Sequence, residues 1–93
     1  MKRSIYCVWD VVAEAIIGVL MVFSHDAAAV REFSEACANP ESLGRRAQDY
    51  ELRHIGTVEG CRVVGVEEPG RIVLTGAALV ASRSEGPKLA VEA

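Results

Sequence analysis

The amino-acid sequence predicts an α+β fold, in which one helix packs on a small antiparallel sheet of about four to five strands in the order β-β-α-β-β. Two observations support this prediction. One segment, at about residues 26–38, has a clean helical stripe, and several segments on either side of it are rich in residues that favour strands. The 93 residues allow a single domain. We place that domain at residues 1–82 and expect a flexible polar tail at residues 83–93.

The first two strands are predicted at residues 4–9 and 16–23. Residues 4–9 contain many β-forming side chains, and Ile5, Cys7 and Trp9 alternate onto one face. The apolar run that follows also has the spacing of a buried helix, so residues 11–17 remain open to helix, turn or strand. Gly18 would cost a helix about 1 kcal/mol, and the valines and phenylalanine after it favour extended backbone. We therefore expect a second strand that pairs antiparallel with the first.

The predicted helix begins at Ser24-His25-Asp26, where either the serine or the aspartate can serve as the N-cap. It ends at Ala38, because the proline of Asn39-Pro40 disfavours helical backbone in the residue before it. Val30, Phe33 and Cys37 form its apolar stripe.

The second half of the chain is predicted to be mostly strand. Residues 41–48 form a polar loop, and Asp49–Val58 and Cys61–Val66 form strands joined by a turn at Glu59-Gly60. A second turn at residues 67–70 should precede a short strand at Arg71–Leu74 and a last strand at Ala77–Ser82. Within the first of these strands, we expect one face to carry Tyr50, Leu52, His54 and Val58, and the other to carry Arg53 and Ile55.

The charge is distributed unevenly along the chain. The formal net charge is −3, which argues against a general nucleic-acid coat protein. Residues 4–44 hold six acids and one base, whereas residues 45–62 hold four bases and three acids. Guanidinium groups contact phosphates, so these bases are the candidate nucleic-acid-binding residues: Arg45, Arg46, Arg53 and Arg62. The alternative is a solvated loop and strand face.

No other residue pattern predicts chemistry. The three cysteines, an odd number without CxxC spacing, suggest buried reduced thiols. His25, His54 and Cys61 lack metal-ligand spacing, so we expect no metal site. Asp10 and Glu14 could form an acid–base pair, but solvated carboxylates at a strand end are the simpler interpretation. The sequence therefore predicts no catalytic site, no cofactor and no enzyme. The apolar run is also too interrupted to span a membrane, and we expect no signal peptide.

Six short motifs follow one another along the chain in a characteristic order. They are Tyr6-x-Val8-Trp9-Asp10, Ala13-Glu14-Ala15, Ala28-x-x-Arg31-x-Phe33, Asn39-Pro40, Asp49-Tyr50-x-Leu52-x-x-Ile55-Gly56 and Leu74-Thr75-Gly76-x-Ala78-Leu79-Val80. Over about residues 4–82 this order resembles the small nonstructural protein of gokushovirus-type microviruses, which are single-stranded-DNA bacteriophages. The second strand departs from that family in lacking its proline and double phenylalanine, and the loop has Gly-Arg-Arg in place of a His-Pro-like pair.

The resemblance implies a strand at residues 16–23. It also implies an early phage protein, in the host bacterial cytoplasm and not in the mature virion. Such a protein is expected to act with viral single-stranded DNA during the switch from replication to packaging. The alternative is an oligomeric interaction module that binds a replication or capsid-assembly protein without contacting DNA. We also expect a homo-oligomer, because so small a chain has more apolar residues than one helix and a sheet can hide.

Overall fold

The computed structural model describes residues 1–83. These residues form a four-stranded antiparallel sheet with the spatial order β2-β1-β3-β4, and helices pack on one side of it. This arrangement confirms the predicted α+β class. The elements are β1 (Lys2–Asp10), β2 (Ala15–Phe23), α1 (Asp26–Ala38), a 3-10 helix (Gly44–Asp49), β3 (Tyr50–Glu59), β4 (Arg62–Thr75) and a second α-helix, α2, at residues 76–83.

The core lies between the sheet and the helices. Tyr6 of β1 and Leu52 of β3 are fully buried there against Phe33 and Cys37 of α1 and Ala47 of the 3-10 helix. The apolar stripe predicted for α1 therefore does face the sheet. The N-cap differs from the prediction: it is His25, which forms no capping side-chain hydrogen bond, while Asp26 is the first helical residue.

The connection between β1 and β2 is a turn at residues 11–14, which resolves the ambiguity at residues 11–17. Asp10 stabilises this turn, since its Oδ1 accepts hydrogen bonds from the backbone N–H groups of Val12 (2.9 Å) and Ala13 (3.0 Å). β2 then pairs antiparallel with β1 as predicted. Gly18 has a φ of 70° and lies in a bulge, because residues 18–20 interrupt the regular pairing between β1 and β2.

The prediction of a turn at residues 67–70 that separates two strands was wrong. β4 is one strand, whose two halves both pair with β3. The register shifts between them because residues 67–70 form a bulge opposite Ile55. Turn-forming residues here enlarge a bulge instead of ending the strand. A smaller irregularity between β1 and β3 also moves Val58 to the other face of the sheet. Val58 pairs with Arg3 and, contrary to the prediction, does not share a face with Tyr50.

Two further segments differ from their predictions. Residues 44–49, expected in a loop, form a 3-10 helix with a non-helical residue, Arg46, inside it. Residues 77–82, expected in a strand, belong to α2. The Thr75 hydroxyl accepts a hydrogen bond from the N–H of Ala78 at 3.1 Å, which caps this helix. Alanine favours helix over strand, and Leu79 packs against the core. The tail predicted beyond Arg83 lies outside the described residues.

The side of the sheet opposite the helices is called the open face below. Its pairing register brings together apolar side chains from all four strands, with Arg53 and Glu51 among them. The predicted grouping of Ile5, Cys7 and Trp9 on one face is confirmed, since alternate β1 residues Tyr6 and Val8 contact the core. The apolar members of the open face are Ile5, Cys7, Trp9, Ile16, Val22, Ile55, Val58, Val63, Val66 and Ile72.

Candidate nucleic-acid interface

Arg45 and Arg46 are neighbours on the 3-10 helix, at the end of the sheet where β3 begins. Both are exposed, and within residues 1–83 neither forms an ion pair. The helix brings them there because it follows directly on the reversal after α1, where Gly44 donates a backbone hydrogen bond to Asn39 at 2.9 Å. Two uncommitted guanidinium groups side by side are suited to contact phosphates.

Arg53 lies in a different environment, on the open face. Its Nη2 donates to Glu51 Oε1 at 2.8 Å and its Nε donates to the same oxygen at 3.1 Å. Its guanidinium carbon also lies 5.0 Å from the centre of the Trp9 ring. The charge of Arg53 is thus already balanced and partly covered, so a phosphate would have to compete with a carboxylate for it.

Arg62 lies at the opposite end of the sheet from Arg45 and Arg46. The ten residues of β3 separate the two places, which corresponds to about 30 Å of extended chain. Arg62 pairs in register with Glu59, and Glu59 with Lys2, while the next residue, Arg3, is also exposed. The structure therefore does not bring the four predicted arginines into one site.

Lys2 and Arg3 are exposed basic residues that were not predicted as candidate binding residues. They are remote from Arg62 in the chain and become its neighbours only through the β1–β3–β4 register. The available signal was the basic start of the chain combined with the expectation that the first strand pairs within the sheet. Lys2 and Arg62 form a second basic region with Glu59 between them, whereas Arg3 pairs with Val58 and lies on the open face.

A polar network that the sequence did not reveal joins α1 to the sheet. The hydroxyl of Tyr6 donates to Asp26 Oδ1 at 2.6 Å, and Arg71 donates to the same carboxylate at 3.2 and 3.4 Å. The hydrogen bond from Tyr6, followed by that from Arg71, lowers the pKa of Asp26. Burial, followed by the hydrogen bond to Asp26, raises the pKa of Tyr6.

His54 extends this network on the same side of the sheet. Its ring packs edge-on against Tyr6 with centroids 5.3 Å apart, and its Nδ1 forms a hydrogen bond with Glu67. His54 and Glu67 thus link β3 to the bulge of β4. Every charged group in the network has an assigned partner, so the network connects elements of the fold and presents no free group towards a ligand.

The remaining candidate residues are dispersed. Across residues 1–83, no group of three or more histidine, cysteine or acidic side chains could hold a metal ion. Cys7 and Cys37 are buried, and burial raises the pKa of both thiols. The expectation of a buried thiol was wrong for Cys61, which is exposed because it occupies the β3–β4 turn. Asp10 serves the β1–β2 turn described above.

None of the helices in the described part of the chain is long and apolar enough to cross a membrane.

The family model described as phage ORF5 protein matches residues 3–79, which include all four strands, α1 and the 3-10 helix. No curated protein and no solved structure matches the chain.

Proposed function

Because the chain belongs to the phage ORF5 protein family, we propose that it is a nonstructural protein of a gokushovirus-type microvirus. In this proposal it assists replication or packaging of the viral single-stranded DNA and catalyses no reaction. It acts in the host bacterial cytoplasm, apart from any membrane, and is absent from the mature virion. The motifs at residues 6–10, 13–15 and 49–56 support the microvirus assignment by their resemblance to that group.

The exposed pair Arg45 and Arg46 is the observation that carries the proposed contact with DNA. Both guanidinium groups are free of ion pairs within residues 1–83. Both residues are exposed, and the backbone of Arg46 departs from helical geometry. Phosphate contacts need exposed cations and no fixed base geometry, so this pair suits sequence-tolerant binding of a flexible single strand.

The proposed binding is weak for two physical reasons. The net charge of −3 repels a polyanion at long range. The second basic region, around Arg62, lies about 30 Å of strand away from Arg45 and Arg46, so one short oligonucleotide cannot readily gain from both at once. Arg53 contributes little, since Glu51 already neutralises it. Weak binding fits a protein that accompanies replication or packaging and does not coat the genome.

Fluorescence anisotropy with a labelled single-stranded oligonucleotide tests the proposal. Contacts from Arg45 and Arg46 would give a slope of log affinity against log salt of about −1.4, since each contact to a single strand contributes about −0.7. Replacing Arg45 and Arg46 together by alanine should weaken binding and bring the slope close to zero. The control is Arg31→Ala, which removes an exposed positive charge from α1.

Absence of binding by the wild-type chain at low salt would contradict the proposal. A loss of binding in Arg31→Ala as large as that in the double variant would also contradict it, because general charge and not the arginine pair would then be responsible.

A second candidate function is favoured by the open face. This function is an oligomeric module that binds a phage replication or capsid-assembly protein and does not contact DNA. Apolar side chains such as Val66 and Ile72 are 75% and 50% exposed there, and exposed apolar patches commonly mark protein interaction sites. A stable oligomer that shows no affinity for single-stranded DNA would favour this second function over the first.

A further inference from the structure

The open face is unusual because it is apolar although no described helix covers it. Antiparallel sheets with one solvated face normally alternate apolar and polar residues. In β1, by contrast, both faces are apolar over several residues: Tyr6 and Val8 contact the core, while Cys7 and Trp9 lie on the open face. α1, α2 and the 3-10 helix all contribute to the core on the other side. No helix within residues 1–83 therefore covers the open face, and several of its apolar side chains are exposed.

The open face is electrically balanced around Trp9, near the end of the sheet where β3 begins. Arg53 is the cation there, and Glu51 holds it through two hydrogen bonds while Trp9 lies beneath its guanidinium. The side chains of Arg53 and Glu51 are only 20% and 17% exposed. If a second protein surface covers Arg53 and Glu51, no unpaired charge is buried, and an unpaired charge is the usual obstacle to burying such groups. This part of the surface is neutral, whereas Arg3, which pairs with Val58, adds a positive charge near the other end of the face. The neutral part is not complementary to a polyanion, and it meets no like charge when it faces an identical surface.

The edges of the sheet are unsuited to adding another strand. Along β2, residues 18–20 form a bulge at Gly18, and along β4, residues 67–70 form a bulge that contains Pro69. Bulges and prolines interrupt the row of hydrogen-bonding groups that an incoming strand needs. Self-association through continuous edge pairing is therefore disfavoured, and the open face remains.

We propose that two copies of the chain pack against each other by their open faces across a two-fold axis. Four strands of about nine residues give a face of roughly 30 by 19 Å, or about 550 Å² in projection. Two such faces together bury roughly 1,100 Å² before the projection of the side chains is counted, which lies just above the minimum of about 1,000 Å² for a specific interface. Aromatic and arginine side chains, here Trp9 and Arg53, are the types that contribute much of the binding energy of such interfaces.

This interface is independent of the proposed DNA contact, because Arg45 and Arg46 lie outside the open face. Sedimentation equilibrium tests it through three matched valine-to-glutamate variants. Val66 lies on the open face, Val19 on the β2 edge and Val12 in the β1–β2 turn, with exposures of 75%, 79% and 72%. We expect a mass of twice 10.0 kDa for the wild type and for Val19→Glu and Val12→Glu. Val66→Glu should be monomeric, since it buries a carboxylate in the interface.

The chain's single tryptophan provides a second readout that requires no variant. Trp9 lies within the proposed interface, near the end of β1, so its emission should shift to the blue and its quenching by acrylamide should fall as the wild-type concentration rises. Ile72→Glu, at a second exposed position of the open face, should abolish both changes while the far-ultraviolet circular dichroism stays unchanged.

Three results would overturn the proposal. One is a wild-type monomer at high micromolar concentration, which would assign the open face to a different partner. Another is dissociation by Val19→Glu but not by Val66→Glu, which would assign the contact to the sheet edge. The last is Trp9 emission that does not depend on concentration while a dimer forms.

Discussion

Replacing Tyr6 by phenylalanine should destabilise the fold although it removes only one oxygen atom. The ring of Tyr6 is fully buried, and its hydroxyl donates to the carboxylate of Asp26 at 2.6 Å. Hydrogen bonds to charged groups contribute about 1.5–3 kcal/mol. Asp26 is 45% exposed and keeps Arg71 as a partner, so water replaces part of the loss. We therefore expect the free energy of unfolding to fall by about 1–2 kcal/mol, or roughly 5–12 °C in Tm for a chain of this size.

Urea denaturation monitored by circular dichroism measures this change, and Tyr50→Phe is the matched control. Tyr50 is partly buried, but its hydroxyl forms no hydrogen bond with residues 1–83, so its loss should cost less than about 0.5 kcal/mol. In a double-mutant cycle, Tyr6→Phe and Asp26→Asn should be coupled by at least about 0.5 kcal/mol. Equal effects of the two phenylalanine variants, or strictly additive effects in the cycle, would refute the reasoning.

Three other predictions follow from single sites. Gly76→Ala should destabilise the protein by more than about 3 kcal/mol in a thermal melt, because the new Cβ would lie 1.7 Å from the Ala47 carbonyl oxygen. Gly65→Ala is the control: its Cβ would make only ordinary contacts, so its effect should be far smaller. A thiol-reactive dye should label Cys61 rapidly and the two buried cysteines only after unfolding, so fast reaction at all three would be inconsistent with the fold. The lowered pKa of Asp26 means that its charged form stabilises the folded state above the ordinary aspartate pKa of about 3.9. This contribution is lost as the pH falls through the lower pKa of the folded state. In acid the wild type should therefore lose its stability advantage over Asp26→Asn, which urea titrations at several pH values would measure.

The elements that sequence patterns predicted well are those whose signals are local. The stripe of Phe33 and Cys37 marks α1, and the alternation around Cys7 marks β1, because period and burial coincide there. The bulges were not predictable in this way. Residues 67–70 have the composition of a turn, but the strand halves on both sides of them pair with the same partner, and only the assembled sheet determines that. The prediction of a strand at Ala77–Ser82 was wrong because the role of Thr75 as the cap of α2 becomes evident only in the structure.

The candidate site was predictable as a set of residue types but not as an arrangement. Counting arginines identified Arg45 and Arg46, and the structure leaves both exposed. The same count could not show that Arg53 is bound to Glu51, since their geometry depends on strand pleating. It also could not place Arg62 beside Lys2, because that proximity arises from strands far apart in the sequence.

The most direct test of the proposed role is a nuclear magnetic resonance titration of the ¹⁵N-labelled protein with a short single-stranded oligonucleotide at low salt. We predict that the backbone amide signals of Arg45 and Arg46 shift progressively, with smaller shifts near Arg62, and that added salt reverses them. The signals of Val66 and Ile72 on the open face should remain in place. An unchanged spectrum, or shifts confined to the open face, would contradict the proposal that this phage protein contacts single-stranded DNA through its exposed arginines.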